Sequence, residues 1–146
     1  MPLNQPALKT ALQTLAEGPG ATDADCAQAW AQAVQTYAEG IVPPSAALIP
    51  AVAALQSSLA TAFTLSPCDA GMETAFATFA TALATGMAPA FVAVPPPAPI
   101  GFATLFAKPY PTTHAAAAQA VSDAIDVWMK TGTATPAAGG SPQNWA

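Results

Sequence analysis

Arginine is absent from this chain of 146 residues, and its basic residues are Lys9, Lys108, Lys130 and a single histidine, His114. Binding a phosphate backbone requires clustered Lys or Arg. Three lysines isolated in sequence, within a formal net charge of -5, therefore exclude nucleic acid as a partner. Charged residues of either sign make up only 8%, against roughly a quarter in an ordinary soluble domain. The surface must then be built largely from Ala, Thr, Ser, Gln and Pro. Such a surface is weakly hydrated and weakly self-repelling, so it tends to associate. Composition leaves two readings open, a low-charge soluble or secreted domain and a subunit whose exterior is mostly covered by neighbours. The shortage of charge favours the second.

Reactive groups are equally scarce. His114 lies in TTHAAAA with no acid beside it, which places it on the surface of a helix's first turn. A Cys–His dyad would need Cys26 or Cys68, and nothing local supports one. Asp123 and Asp126 lie three residues apart on one helix face. That spacing reads as a solvated polar face rather than a metal pair. Asp23 and Asp25 read as helix-start residues. No CxxC, HExxH, phosphate-cradling loop or Gly-x-Ser-x-Gly occurs. The expectation is therefore no catalytic residue, no metal and no cofactor. Cys26 and Cys68 could pair, but without a secretory signal two cysteines are expected to stay as buried thiols. The opening MPLNQPALKT has neither the basic nor the apolar region of a signal peptide, which predicts synthesis and assembly in the cytoplasm. Windows such as AVAALQSSLATAFTLSP carry Gln and Ser and end at proline, so no membrane partner is expected.

What the chain has is alanine, about a quarter of its residues, and 16 prolines. Leu8, Ala11, Leu12 and Leu15 form the stripe of a first helix running from Pro6 to Glu17, ended by Gly18-Pro19-Gly20. Thr22 to Asp25 caps a second helix with Cys26, Trp30, Ala33, Val34 and Tyr37 on one face. A third helix starts at Pro50 and carries Val52, Leu55, Leu59, Ala62 and Phe63. Ser66-Pro67-Cys68-Asp69 reads as the cap of a fourth, with Ser66 at the N-cap and Pro67 at the first position. Met72, Phe76, Phe79 and Leu83 form its stripe. FVAVPPPAP (91–99) reads as extended or polyproline-like, and 100–108 as a short helix carrying Phe102 and Phe106. Thr112 or Thr113 caps a last long helix whose apolar face holds Val121, Ala124, Ile125, Val127, Trp128 and Met129. The following TGTATPAAGGSPQNWA has no periodicity and reads as irregular.

Gly40, Gly86 and Gly132 stand 46 residues apart, each closing a helical stretch and each followed by proline within four residues. A left-handed C-terminal position is the expected role of Gly40. The period suggests three helical hairpins, at 1–44, 45–90 and 91–136. Alanine-rich helices of similar length would give the same spacing without a true repeat. Either way the predicted fold is all-α: one domain over 1–136, a bundle of five to six helices with proline-rich connectors, and an irregular tail over 137–146.

The segment THAAAAQAVSDAIDVWMKTGTATP, and more loosely AQAVQTYAEGIVPP, resembles small alanine-rich helical proteins of tailed-bacteriophage structural modules. The likeness covers about 25 residues, and elsewhere it is one of composition alone. It implies a virion component of the tail, neck, baseplate or capsid surface, whose partners are other virion proteins or copies of itself. It carries no catalytic residue. The candidate interface is Phe91, Val92, Val94, Pro95, Pro96 and Pro97 together with Trp145, an indole with no helix to belong to, which either docks on its own domain or anchors into another subunit. Proline-fixed segments lose little entropy on docking. The alternative is a helical carrier of an apolar small molecule or lipid, with Trp30, Tyr37, Phe76 and Phe79 around a cavity.

Overall fold

The computed structural model describes residues 3–146. Its helices are α1 (Gln5–Glu17), α2 (Asp23–Ala38), α3 (Leu48–Phe63), α4 (Asp69–Gly86), α5 (Phe102–Leu105) and α6 (His114–Met129). Three short strands, β1 (Phe91–Val94), β2 (Thr133–Pro136) and β3 (Gln143–Asn144), complete the fold. The predicted small helical bundle is therefore present, with a sheet added at its edge.

Helix starts follow the local chemistry in most places. Asn4 accepts from the Ala7 amide, Thr22 and Asp25 form a reciprocal capping box, and Thr113 accepts from the Ala116 amide. In α3 the helix begins at Leu48, so Pro50 falls in the first turn, where its missing N–H costs nothing. The cap read at Ser66-Pro67 is a correction. Helix α4 begins two residues beyond Pro67, at Asp69, behind Cys68, with no side-chain cap. Close packing at the α3–α4 corner accounts for this. A Cβ on Gly71 would lie 2.7 Å from the Ala62 Cβ, so the first turn of α4 presses on the last turn of α3.

Helix α1 packs between α2 and α6, α2 packs on α3, and α3 on α4. The predicted stripes fill the space between them: Leu8, Leu12, Val34, Tyr37, Leu55, Leu59, Met72, Phe79, Leu83, Ile125 and Met129 are all buried. Phe76 is the aromatic centre. Its ring lies 6.2 Å from Trp30, 5.4 Å from Phe102 and 6.4 Å from Trp128, joining α2, α5 and α6 to α4. Val127 departs from its expected place, being 66% exposed on the outer side of α6.

Positions 46 apart share burial: Ala33, Phe79 and Ile125 are buried, as are Tyr37, Leu83 and Met129. The three glycines do not share a role. Positive φ occurs at Gly101, Gly139 and Gly140, so the left-handed cap expected at Gly40 is a correction. Gly86 and Gly132 are needed for close approach instead. A Cβ at Gly86 would collide with Ser45 and Ala47, and one at Gly132 with Trp145.

The irregular tail is also corrected. Residues 133–136 and 143–144 are strands, and the sheet order is β1-β2-β3 with antiparallel pairing throughout. Thr133-Ala134-Thr135 alternates a small inward residue with β-branched outward ones, which suits a pleated, half-buried surface. It lacked a visible partner in sequence because that partner, FVAV, lies some forty residues away.

Candidate interaction surface

Strand β1 occupies an outer position of the sheet and pairs only with β2. Opposite residues are Phe91 with Pro136, Val92 with Thr135, Ala93 with Ala134 and Val94 with Thr133. Alternation sets the two faces. Ala134 is fully buried, and Phe91 and Ala93 on its side are half-buried against the core. Val92 and Val94 point the other way and are 66% and 55% exposed. Together with half-buried Thr133 and Thr135 they make a β-branched outer face without charge. Pro95 and Pro96 are half-buried, Pro97 is exposed, and the Ala98 carbonyl accepts from the Trp128 indole N–H at 2.5 Å.

The chain beyond the prolines is fixed by Glu73 on α4. Its carboxylate accepts from the amides of Ile100 (2.9 Å), Gly101 (2.5 Å) and Phe102 (2.6 Å). Gly101 adopts φ +94, a conformation that favours glycine. Three converging N–H groups on one carboxylate start α5 and set Phe102 against Phe76, one turn along α4 from Glu73.

Trp145 stands corrected as an interface residue. It is 1% exposed, packed on Gly132 within its own chain. Its amide donates to the Gly132 carbonyl at 2.9 Å, and Ala146 exchanges two backbone hydrogen bonds with Val42, at 2.8 and 3.1 Å. The segment after β3 thus ties the α2–α3 connection to the end of α6. Of the candidate interface residues, Val92 and Val94 share one exposed face, Phe91 is corrected to the side packed on the core, and Trp145 lies in the interior.

The polar residues serve the fold. The Tyr37 hydroxyl donates to Asp126 Oδ1 at 3.1 Å, and Asp126 Oδ2 meets the Lys130 ammonium at 2.7 Å. Burial, then the Asp126 charge and its hydrogen bond, push the Tyr37 phenol above its ordinary range. Asp126 is therefore no simple solvated carboxylate. Asp123, by contrast, is exposed and accepts from Gln5 and Gln119. Cys26 and Cys68 are free and half-buried. Burial first, then Asp23 and Cys68, raise the Cys26 thiol, which makes it a poor nucleophile at neutral pH. His114 is exposed at the first position of α6.

Among the described residues no cluster of three or more His, Cys, Asp or Glu could hold a metal ion, and no helix is long and apolar enough to cross a membrane. Sequence reasoning missed the outer role of Thr133 and Thr135. The signal was present as two short β-branched alternations, FVAV and TATP. No family model, curated protein or solved structure significantly matches this chain.

Proposed function

We propose that the chain is a non-enzymatic structural subunit of a larger protein assembly, laying the outer face of β1 against a neighbour. The observation that carries this reading is the edge strand itself. Soluble proteins usually blunt such an edge with lysine, a bulge or a covering loop. Here β1 carries no charge and leaves Val92 and Val94 open, and only the prolines after it limit extension of the strand. An edge of that kind accepts an added strand or a flat apolar face. Pro95 to Pro97 fix the adjoining segment, so little entropy is lost on docking. The phage-module resemblance of the α6 segment makes a tailed-phage particle, assembled in the host cytoplasm, the setting in which we place the subunit.

The test is a paired measurement on the wild type and a Val92→Lys, Val94→Lys double variant. Both side chains are exposed, so the variant is expected to keep its thermal midpoint. The wild type is expected to sediment as a multimer or with assembled particles, and the variant as a monomer. A wild type that stays monomeric and unincorporated at all concentrations overturns the reading.

A carrier of an apolar small molecule has one observation in its favour. A cleft of about 260 Å³ between α1, α2 and α6 is lined by Leu12, Leu15, Cys26, Trp30, Ala118 and Val121, among others. That volume lies below the roughly 300–1,000 Å³ of ordinary ligand sites, which ranks this reading second. Lipid recovered in stoichiometric amount from a monomeric preparation would reverse the order.

A further inference from the structure

The pairing of β1 with β2 fixes which backbone groups β1 turns outward. The Ala137 amide donates to the Ala90 carbonyl at 2.9 Å, one step beyond the opposition of Phe91 and Pro136. Hydrogen-bonded pairs recur at every second residue of an antiparallel ladder. Val92 and Val94 therefore bond to Thr135 and Thr133, while Phe91 and Ala93 direct their backbone groups to the outer edge. Phe91 spends its N–H on the Met87 carbonyl at 3.1 Å. The N–H and C=O of Ala93 have no partner among the described residues. They are also open. Ala93 and Ala134 lie opposite each other with both side chains toward the core, yet Ala134, between two strands, is fully buried and Ala93 is not. What differs between them is the unpaired edge.

We propose that this edge receives the β1 edge of a second copy, antiparallel about a two-fold axis that sets the two Ala93 residues opposite each other. Two three-stranded sheets then become one of six. That β1 meets a neighbour at all rests on the assembly reading above. Ala93 offers one donor and one acceptor side by side, so two copies exchange both bonds across the axis. The next outward residues to meet are Phe91 and the partner's Pro95, and neither has an N–H to give. No donor is left unmet, and the pairing closes there. The same phase places Val92 across from the partner's Val94, twice, on the exposed face. These are the non-hydrogen-bonded positions, where cross-strand side chains lie closest. Charge selects a copy as the occupant. Residues 86–107 and 131–146, which hold all three strands, carry no charged side chain. The net charge of -5 on each copy is therefore not opposed at this edge, and a cationic partner finds no anion there. Two valines per copy fall well short of the roughly 800 Å² per partner of stable complexes. The expected Kd is accordingly on the order of 100 µM.

The experiment follows solvent exchange of single amides in the intact protein at about 20 µM and about 1 mM, either side of that Kd. Val92 and Val94, held by β2, should exchange slowly at both concentrations. The Ala93 amide should exchange about fourfold more slowly at the higher one, as the monomer fraction falls. Val92→Cys and Val94→Cys, made as separate variants, check the register under copper–phenanthroline oxidation. A mixture of the two should cross-link. Either variant alone should not, because its new thiols lie diagonally across the axis. An Ala93 amide that is slow at every concentration, or whose exchange ignores concentration, overturns the proposal. So does cross-linking of the single variants as fast as the mixture. Incorporation of the wild type into particles can still succeed in each of those cases, so failure here and failure of the assembly reading are separate outcomes.

Discussion

Trp145 rests on Gly132: a Cβ at position 132 would lie 2.6 Å from Cδ2 of the indole and 2.8 Å from Cε2 and Cε3. The absence of one methyl group therefore lets the last segment of the chain close over the end of α6. Gly132→Ala should expel the indole or force the backbone apart, at a cost of about 3 kcal/mol, typical of overpacked cores. For a chain of this size that is a fall in thermal midpoint of roughly 6–12 °C. Thermal melts followed by tryptophan fluorescence check it, with a red-shifted emission if Trp145 leaves the interior.

The indole Nε1 finds no hydrogen-bond partner, so the Trp145 side chain contributes through packing alone. Trp145→Phe should consequently keep most of the stability, while Trp145→Ala should lose about 3–5 kcal/mol. Denaturant midpoints of the two variants give the comparison. Equal losses of that size would mean that the indole's particular fit on Gly132, and not an aromatic ring of any shape, carries the contact.

Glu73 anchors the chain at 100–102. Glu73→Gln keeps the size but turns one acceptor into a donor facing the amides of Gly101 and Phe102 or of Ile100. The expected cost is about 2 kcal/mol. Amide exchange should quicken first in α5 and in 100–102, with the α2–α3 pairing unaffected, and mass-resolved hydrogen exchange reads this directly.

Tyr37 makes stability depend on alkaline pH. Its phenol titrates above the ordinary value near 10 in the folded state because it is buried beside the Asp126 carboxylate. Above that pH the unfolded chain has released this proton and the folded chain still holds it, so unfolding is increasingly favoured as pH rises. Below pH 10 the contribution is fully present. The thermal midpoint should fall between pH 10 and 11.5 in the wild type. Tyr37→Phe removes this group's share of that slope while losing about 1 kcal/mol at neutral pH with the hydrogen bond. An unchanged slope in the variant would assign the alkaline loss to other groups.

Local chemistry made much of the helical part legible. Thr22 with Asp25, and Thr113 with its Ala-rich run, announce helix starts through side-chain acceptors that act within one turn. The stripe Met72, Phe76, Phe79, Leu83 needs only the helical period to predict burial. Ser66-Pro67 misled because a good cap was overruled by the fit of Gly71 against Ala62, a contact between two helices. Val92 and Val94 were recognisable as surface candidates from their place before three prolines. The exclusion of Trp145 from that surface was not, since its partner Gly132 shares no local signal with it.

The sequence by itself determined the number and phase of the long helices, the shortage of charge and the lack of local catalytic motifs, because these follow from periodicity and side-chain inventory. Tertiary structure decided the sheet, the role of the glycines and the fate of the C-terminal segment. Those depend on pairing between FVAV and TATP and on clearances below one methyl radius, neither of which a one-dimensional pattern encodes.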